Sequence, residues 1–360
     1  MSGNIDTGTH SHVDGGDEDG VVEALNESMR SIRSEKERDA NPDEPIRVWI
    51  DEDRTPDGVG KSLTIVFNTD GCRWARAGGC TMCGYVGESN QGAVTADSLL
   101  NQLEKALEHE ENERVRCDNV KMYTSGTFFD EREVPLEARN AILDEFSDRH
   151  VVVESLPDFV EKDVIEDAAE RVRDLDVAIG LETADDQIRR ECVNKYFDFD
   201  EFVRASEAAQ EAGAGVKTYL LMKPPFVTEK EAVDDMVYSI RKAAEYSHTV
   251  SMNPSNVQRY TLVDKLHYRD GYRPPWLWSV VEALERTSDV PAIVVSDPVG
   301  SGGDRGAHNC GDCDDKVASA IKDYSLRGDE SVFDEIYCGC KEQWREVMER
   351  EKPWNMPLTD

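Results

Sequence analysis

The chain has 360 residues, and 75 acidic against 41 basic side chains give it a formal charge of -34. Acid on that scale governs solubility and association rather than fold; spread along nearly every predicted helix, it reads as a solvated surface adapted to high salt. No run of about 18 apolar residues occurs, which excludes a membrane-spanning helix.

Residues 1–44, rich in Gly and Asp and carrying His10 and His12, lack the apolar core of a signal peptide. They are expected to form a flexible acidic tail with one loose helix. Nine cysteines without a secretion signal predict a reducing cytoplasm, where thiols serve metals rather than disulfides. The first strong apolar run, 63–68, reads as a buried strand. A glycine-rich loop follows, with Cys72, Cys80 and Cys83. Soft thiolates at a strand end point to a metal, and three without an evident fourth point to a [4Fe–4S] cluster left open for a substrate. Cysteines packed as small hydrophobes, or half of a zinc site, are the alternatives.

Helix-like and strand-like segments then alternate. Helices are predicted at 96–110, 135–146, 160–172 and 199–212, the second with Pro135 at its start. Strands are predicted at 120–124, 151–155, 177–182, 216–222 and 249–253, and Thr228 with Glu231 resembles a capping box. The pattern defines an α/β fold: a partial (βα)6 barrel over 45–255, with a small cysteine-rich, metal-binding and substrate-facing extension over 256–360. Asn68, Thr124 with Ser125, Glu154, Glu182, Lys223 and Asn253 all stand at strand C-termini, the rim where barrel active sites lie. Singly, each would be a turn or cap residue.

Within 259–278, Arg259, Tyr268, Arg269, Tyr272, Arg273, Trp276 and Trp278 interleave cations with aromatics. Such a segment either stacks RNA bases and clamps phosphates or forms a buried core edge. Further on, Cys310, Cys313, Cys338 and Cys340 form two tight pairs, the spacing of a closed tetrahedral zinc site; His308 could replace one ligand, and a second Fe–S cluster is the competing reading. Cys117 and Cys192 are isolated and read as structural.

A cysteine triplet after the first strand of a βα barrel resembles the radical S-adenosylmethionine (SAM) enzymes. Their usual spacing is C-x3-C-x2-C, and here the first gap is seven residues while the second matches. The turn from Thr124 to Phe128 and the strand from Ala178 to Thr183 are similar to those of the Elongator/MiaB-like branch. From about residue 47 to 353 the chain resembles the archaeal RaSEA family of archaeosine biosynthesis. That likeness rests on 72–85, 180–184 with Asn194 and Lys195, 219–226 and 308–313.

The resemblance implies cluster ligation by Cys72, Cys80 and Cys83, and SAM chelated to the open iron and cleaved to a 5′-deoxyadenosyl radical. It implies contacts of Ser125, Gly126 and Thr127 with the SAM amino group. Glu154 and Glu182 would meet SAM or the lysine part of the substrate, or else pair with helix lysines; Lys223 has the same two readings, and Asn253 stands with it on the cofactor rim. The implied substrate is a transfer RNA with a lysine–preQ0 adduct at position 15, whose C–N bond is cut to leave archaeosine. The implied partners are ArcS, which attaches the lysine, and a reducing protein as electron donor. Another radical SAM modification such as methylthiolation, or a non-catalytic Fe–S/zinc RNA-binding or redox-sensing protein, are the alternatives.

Overall fold

The computed structural model describes residues 18–34, 41–90 and 94–352. His10, His12 and much of the expected tail lie outside them. Eight strands form one sheet in sequential order: β1 (Arg47–Thr55), β2 (Gly58–Val66), β3 (Asn119–Tyr123), β4 (His150–Ser155), β5 (Asp174–Glu182), β6 (Gly215–Met222), β7 (Thr249–Pro254) and β8 (Ile293–Ser296). β1 and β2 make an antiparallel hairpin, and every later pairing is parallel. The hydroxyls of Tyr123 on β3 and Tyr219 on β6 meet at 2.6 Å. Three strand spacings would hold them about 14 Å apart in a flat sheet. The sheet is therefore curled into an open half-barrel, with β1 and β8 as its edges.

Local chemistry explains the elements. β3, β4 and β5 are buried almost continuously, as strands with helices outside and a filled interior must be. The capping box of Thr228 and Glu231 is present, and Asp198 with Glu201 makes a second. Pro135 is the N-cap of the helix Leu136–Glu145.

The expected partial barrel is present, its six strands being β2 to β7, and three features add to it. The sheet has eight strands rather than six, because β1 is a charged edge strand and β8 has only four residues, too few to show a period. The helix inside the expected tail, α1 (Glu18–Arg33), is docked: Leu25, Met29 and Ile32 are buried on one face. The segment expected as an extension is fused to the barrel, because β8 joins the sheet and Trp276, Trp278, Val317, Ile321 and Trp344 share one core with Leu63, Val120 and Val177.

At the N-terminal ends of the strands, the carboxylate of Asp176 lies 3.0 Å from both His150 Nε2 and His248 Nε2. Burial opposes its charge, but the two imidazoles outweigh burial and hold its carboxyl well below the usual range. Burial likewise disfavours charged His150, yet the hydrogen bond and charge of Asp176 raise its pKa. The carboxylate's contribution is present above about pH 4 and lost as pH falls through its folded pKa. That of His150 is full below about pH 6.5 and lost as pH rises through its raised value. Asp176→Asn should therefore destabilise the protein by about 3 kcal/mol. Thermal melts across pH should show the gap to wild type widest between about pH 4.5 and 6.5; a gap independent of pH would count against this linkage.

Candidate active site and metal centres

The cysteine loop leaves β2 through Asn68, whose backbone N–H donates to Gln102 Oε1 at 2.8 Å, and Thr69, whose hydroxyl donates to Thr124 O at 2.7 Å. A short helix, α2 (Arg73–Ala77), starts after Cys72, and Gly78 and Gly79 close it in backbone of positive φ, 150 and 81°. Thr81 is tied on both sides: its hydroxyl donates to Cys192 O at 2.6 Å and its carbonyl accepts from Leu262 N–H at 3.0 Å. Gly84 N–H donates to Gln258 Oε1 at 2.6 Å.

Cys72, Cys80 and Cys83 are all partly buried. Burial pushes the Cys72 thiol up to about 11 and that of Cys80 further, and the nearby charge of Cys83 adds to both. Thiolates in so dry a place need a cation, which is what a metal cluster supplies. The donor set fits.

Beside the loop, the turn from Thr124 to Thr127 follows β3, with Ser125 at φ 67°. Two carboxylates pin it, Glu133 buried and Glu154 half-buried. Glu154, at the end of β4, accepts from the N–H of Thr124 and from its hydroxyl at 3.3 Å. Glu133 accepts from Thr127 N–H at 3.1 Å, and its Oε2 lies 3.2 Å from the Thr69 hydroxyl. Burial raises Glu154 to about 7 and Glu133 to about 8. Glu133 escaped the sequence reading, since only its fold partners mark it out. The Thr127 hydroxyl is engaged with Ser155 Oγ at 2.7 Å.

Glu182, at φ 68° on the end of β5, pairs with buried Lys195 at 2.7 Å, so the ion-pair alternative is realised. Lys195 lies close enough to Cys80 and Cys72 for their charges to raise its pKa, although burial opposes this. Lys223 is placed differently. Its ammonium is buried against Glu229 at 2.6 Å, and its carbonyl accepts from the Tyr272 hydroxyl at 2.7 Å. Asn253 is half-buried and donates back into the sheet, to Leu220 O at 3.3 Å and Ser251 O at 3.2 Å. The loop, the turn, Glu154 and Glu182 thus share the mouth, whereas Lys223 faces the C-terminal segment.

The four C-terminal cysteines converge, all sulfurs lying within 4.8 Å of one another. Three of the separations are 4.0 Å (Cys310–Cys313), 3.7 Å (Cys310–Cys338) and 3.6 Å (Cys313–Cys340). A tetrahedron of sulfurs about 2.3 Å from one zinc has edges of about 3.8 Å. Trp278 Nε1 donates to Cys340 Sγ at 3.2 Å and Asn309 Nδ2 to Cys313 Sγ at 3.4 Å, as outer partners of thiolates do. His308 is not needed as a ligand, and its Nδ1 faces Gly306 O at 2.7 Å. Cys117 is buried in the barrel core, and Cys192 is partly buried under Thr81.

The aromatic segment divides. Tyr272, Trp276 and Trp278 are core residues, and buried Arg273 donates to Pro274 O and His308 O at 2.9 Å each, so these four are packing residues. Arg259, Tyr268 and Arg269 remain exposed.

A model of the radical SAM superfamily matches residues 68–238. The half-barrel with its cysteine loop is thus the catalytic fold of a radical SAM enzyme, a class that works with a [4Fe–4S] cluster and SAM. Archaeosine synthase subunit beta of Methanosarcina acetivorans is 39% identical over 94% of this chain and 100% of its own length; that of Thermococcus kodakarensis is 37% identical over 84% and 96%. The chain belongs to this family. Among solved structures, a radical SAM methyltransferase from Sphaerobacter thermophilus (17% identical, 70% of this chain and 76% of that one, TM-score 0.48) and Elp3 of Methanocaldococcus infernus (15%, 56% and 52%, TM-score 0.45) are similar. Among the described residues no helix is long and apolar enough to cross a membrane.

A Cβ added at Gly126 would meet Glu133 Oε1 at 2.0 Å. Gly126→Ala should destabilise the protein by about 1–3 kcal/mol, the range for overpacking. Adding Glu133→Ala should recover part of that loss, with a coupling of about 1 kcal/mol in denaturant titrations. Strict additivity would show that the glycine is not there for the carboxylate.

Proposed function

We propose that this radical SAM enzyme modifies transfer RNA, cutting the C–N bond of a lysine–preQ0 adduct at position 15 to leave archaeosine. The observation that carries this reading is the 39% identity to archaeosine synthase subunit beta across nearly the whole of both chains. Cys72, Cys80 and Cys83 hold the cluster. The cluster and SAM, when bound, supply a 5′-deoxyadenosyl radical. Ser125 and Gly126 offer close backbone approach to the SAM amino group, and Glu154 with Glu133 fixes that turn. Glu182 acts through Lys195, placing a buried cation beside the cluster ligands. Lys223 has no part in cofactor binding here.

Cys310, Cys313, Cys338 and Cys340 hold zinc that braces the C-terminal segment. Arg259, Tyr268 and Arg269 are the residues of their segment left to meet RNA, where stacking outlasts phosphate attraction in high salt. A reducing protein delivers the electron, ArcS supplies the lysine adduct, and the setting is the cytoplasm.

Anaerobic incubation with SAM, reductant and adduct-bearing transfer RNA should yield archaeosine and 5′-deoxyadenosine by nucleoside mass analysis. Cys80→Ala should abolish both products and the cluster absorbance. A methylthiolated nucleoside, with about eight irons per chain rather than about four, would replace this reading with methylthiolation.

Metal analysis should find one zinc per chain besides the iron. Because structural zinc contributes folding energy, Cys313→Ser should lower the melting temperature by about 5 °C or more. Iron content and SAM cleavage should change far less. Zinc-free wild-type protein of full stability would refute the assignment.

A further inference from the structure

Helix α1 lies against the cysteine loop, and its last residue is spent on that loop. Arg33 is 8% exposed, on the face that also buries Leu25, Met29 and Ile32. Its Nη1 donates to Ala75 O at 2.9 Å and to Gly78 O. Its Nη2 donates to Cys80 O at 3.2 Å and Cys83 O at 3.1 Å. One guanidinium thus gathers four loop carbonyls, two of them from cluster cysteines. One turn earlier, Arg30 Nη1 donates to Ala77 O at 2.6 Å. Asn26 Oδ1 accepts from Asn194 Nδ2 at 2.9 Å, and the same amide donates to Gly79 O at 2.9 Å.

The loop is shaped to receive the helix. A Cβ at Gly78 would meet Asn26 at 2.1 Å, and one at Gly79 would meet Arg33 at 2.3 Å. Carbonyl dipoles pointed at one spot repel each other unless a cation sits there. A planar fork with five N–H donors can serve all four at once, whereas a lysine ammonium has three donors and a single point of charge. The need is local to this chain. Seven residues separate Cys72 from Cys80, and a longer loop has more conformations to lose in presenting its sulfurs.

We propose that Arg33 is a positioning residue of the iron–sulfur site: by holding the carbonyls of Cys80 and Cys83 it fixes two of the three ligands, and with Arg30 it makes α1 part of the cluster's binding site. The inference rests on Cys72, Cys80 and Cys83 being the cluster ligands.

The test uses full-length protein reconstituted anaerobically, with loss of cluster absorbance to an iron chelator followed in time. Outer-shell partners of a metal site typically set affinity by about 10- to 100-fold. Arg33→Met and Arg33→Lys should each lose iron about tenfold faster than wild type, and Arg30→Gln a few-fold faster. Zinc content and the melting curve report whether the barrel and the C-terminal site remain folded. Should Arg33→Met fail to fold, Arg33→Lys and the exposed Arg30→Gln decide. Folded variants that keep iron as long as wild type overturn the proposal. Arg33→Lys behaving as wild type while Arg33→Met loses iron overturns the hydrogen-bonding role, since charge alone would then suffice. Wild-type protein that takes up no cluster overturns the ligand reading itself, a result distinct from either.

Discussion

Glu229 has no contact with water, and a carboxylate so placed must be surrounded by donors. Lys223 Nζ lies 2.6 Å from it, and the Trp276 N–H and Ser279 hydroxyl donate at 2.8 and 2.6 Å. Removing Lys223 would strand the carboxylate's charge in a dry interior, at a cost of several kcal/mol. The barrel contributes Lys223 from the end of β6, and the C-terminal segment contributes Trp276 and Ser279. Neither can leave the other. From Ser279 the chain of contacts continues to Trp344, whose Nε1 donates to that hydroxyl at 2.8 Å, and its neighbour Trp278 donates to Cys340. The four-cysteine site is thereby anchored to the barrel mouth, and buried side chains of the described segment 256–352 belong to the barrel's own core.

The mouth itself is built from backbone that most side chains avoid. Ser125 after β3, Glu182 at the end of β5 and Lys223 after β6 have φ of 67, 68 and 61°. Each left-handed residue costs about 1–2 kcal/mol, so each must be held by something stronger. Glu154 accepts from the turn around Ser125, Lys195 binds Glu182, and Glu229 binds Lys223. The same side chains that neutralise buried charge also turn the chain sharply out of its strands. A rim fixed in this way can present a turn and a cluster loop to a cofactor without reorganising.

What could be read in advance follows from the range of the interactions. β2 to β7 were legible because each is a short apolar run between periodic helices, and the capping box at Thr228 is a four-residue signal. The cysteines were legible because soft ligands in short spacings carry their chemistry in the residue type. Glu133, Lys195 and Arg33 act through partners 64, 13 and 50 residues away, and no local pattern encodes such a contact. Residue type also misled. Tyr272, Arg273, Trp276 and Trp278 are as suitable for stacking on bases as for filling a core, and only burial separates the two uses. Lys223 was legible as a strand-end residue, but its partner six residues on was not, because pairing depends on how the chain turns at Pro224 and Pro225.

The two cysteine sets differ in a way that bears on what each can do. The C-terminal sulfurs stand at tetrahedral edge distances and receive N–H groups from Trp278 and Asn309. Four ligands around one point leave no place for a substrate, which suits a brace. Among the described residues no other set brings its ligand atoms so close together. Cys72, Cys80 and Cys83 are not gathered so closely. Their loop depends on the pins around it: Thr81 on Cys192 and Val193, Gly84 on Gln258, Asn194 on Gly79 and Arg33 on four carbonyls. Those pins come from three separate parts of the chain, Arg33, residues 192–194 and Gln258, so the loop takes this shape only once the half-barrel has closed around it.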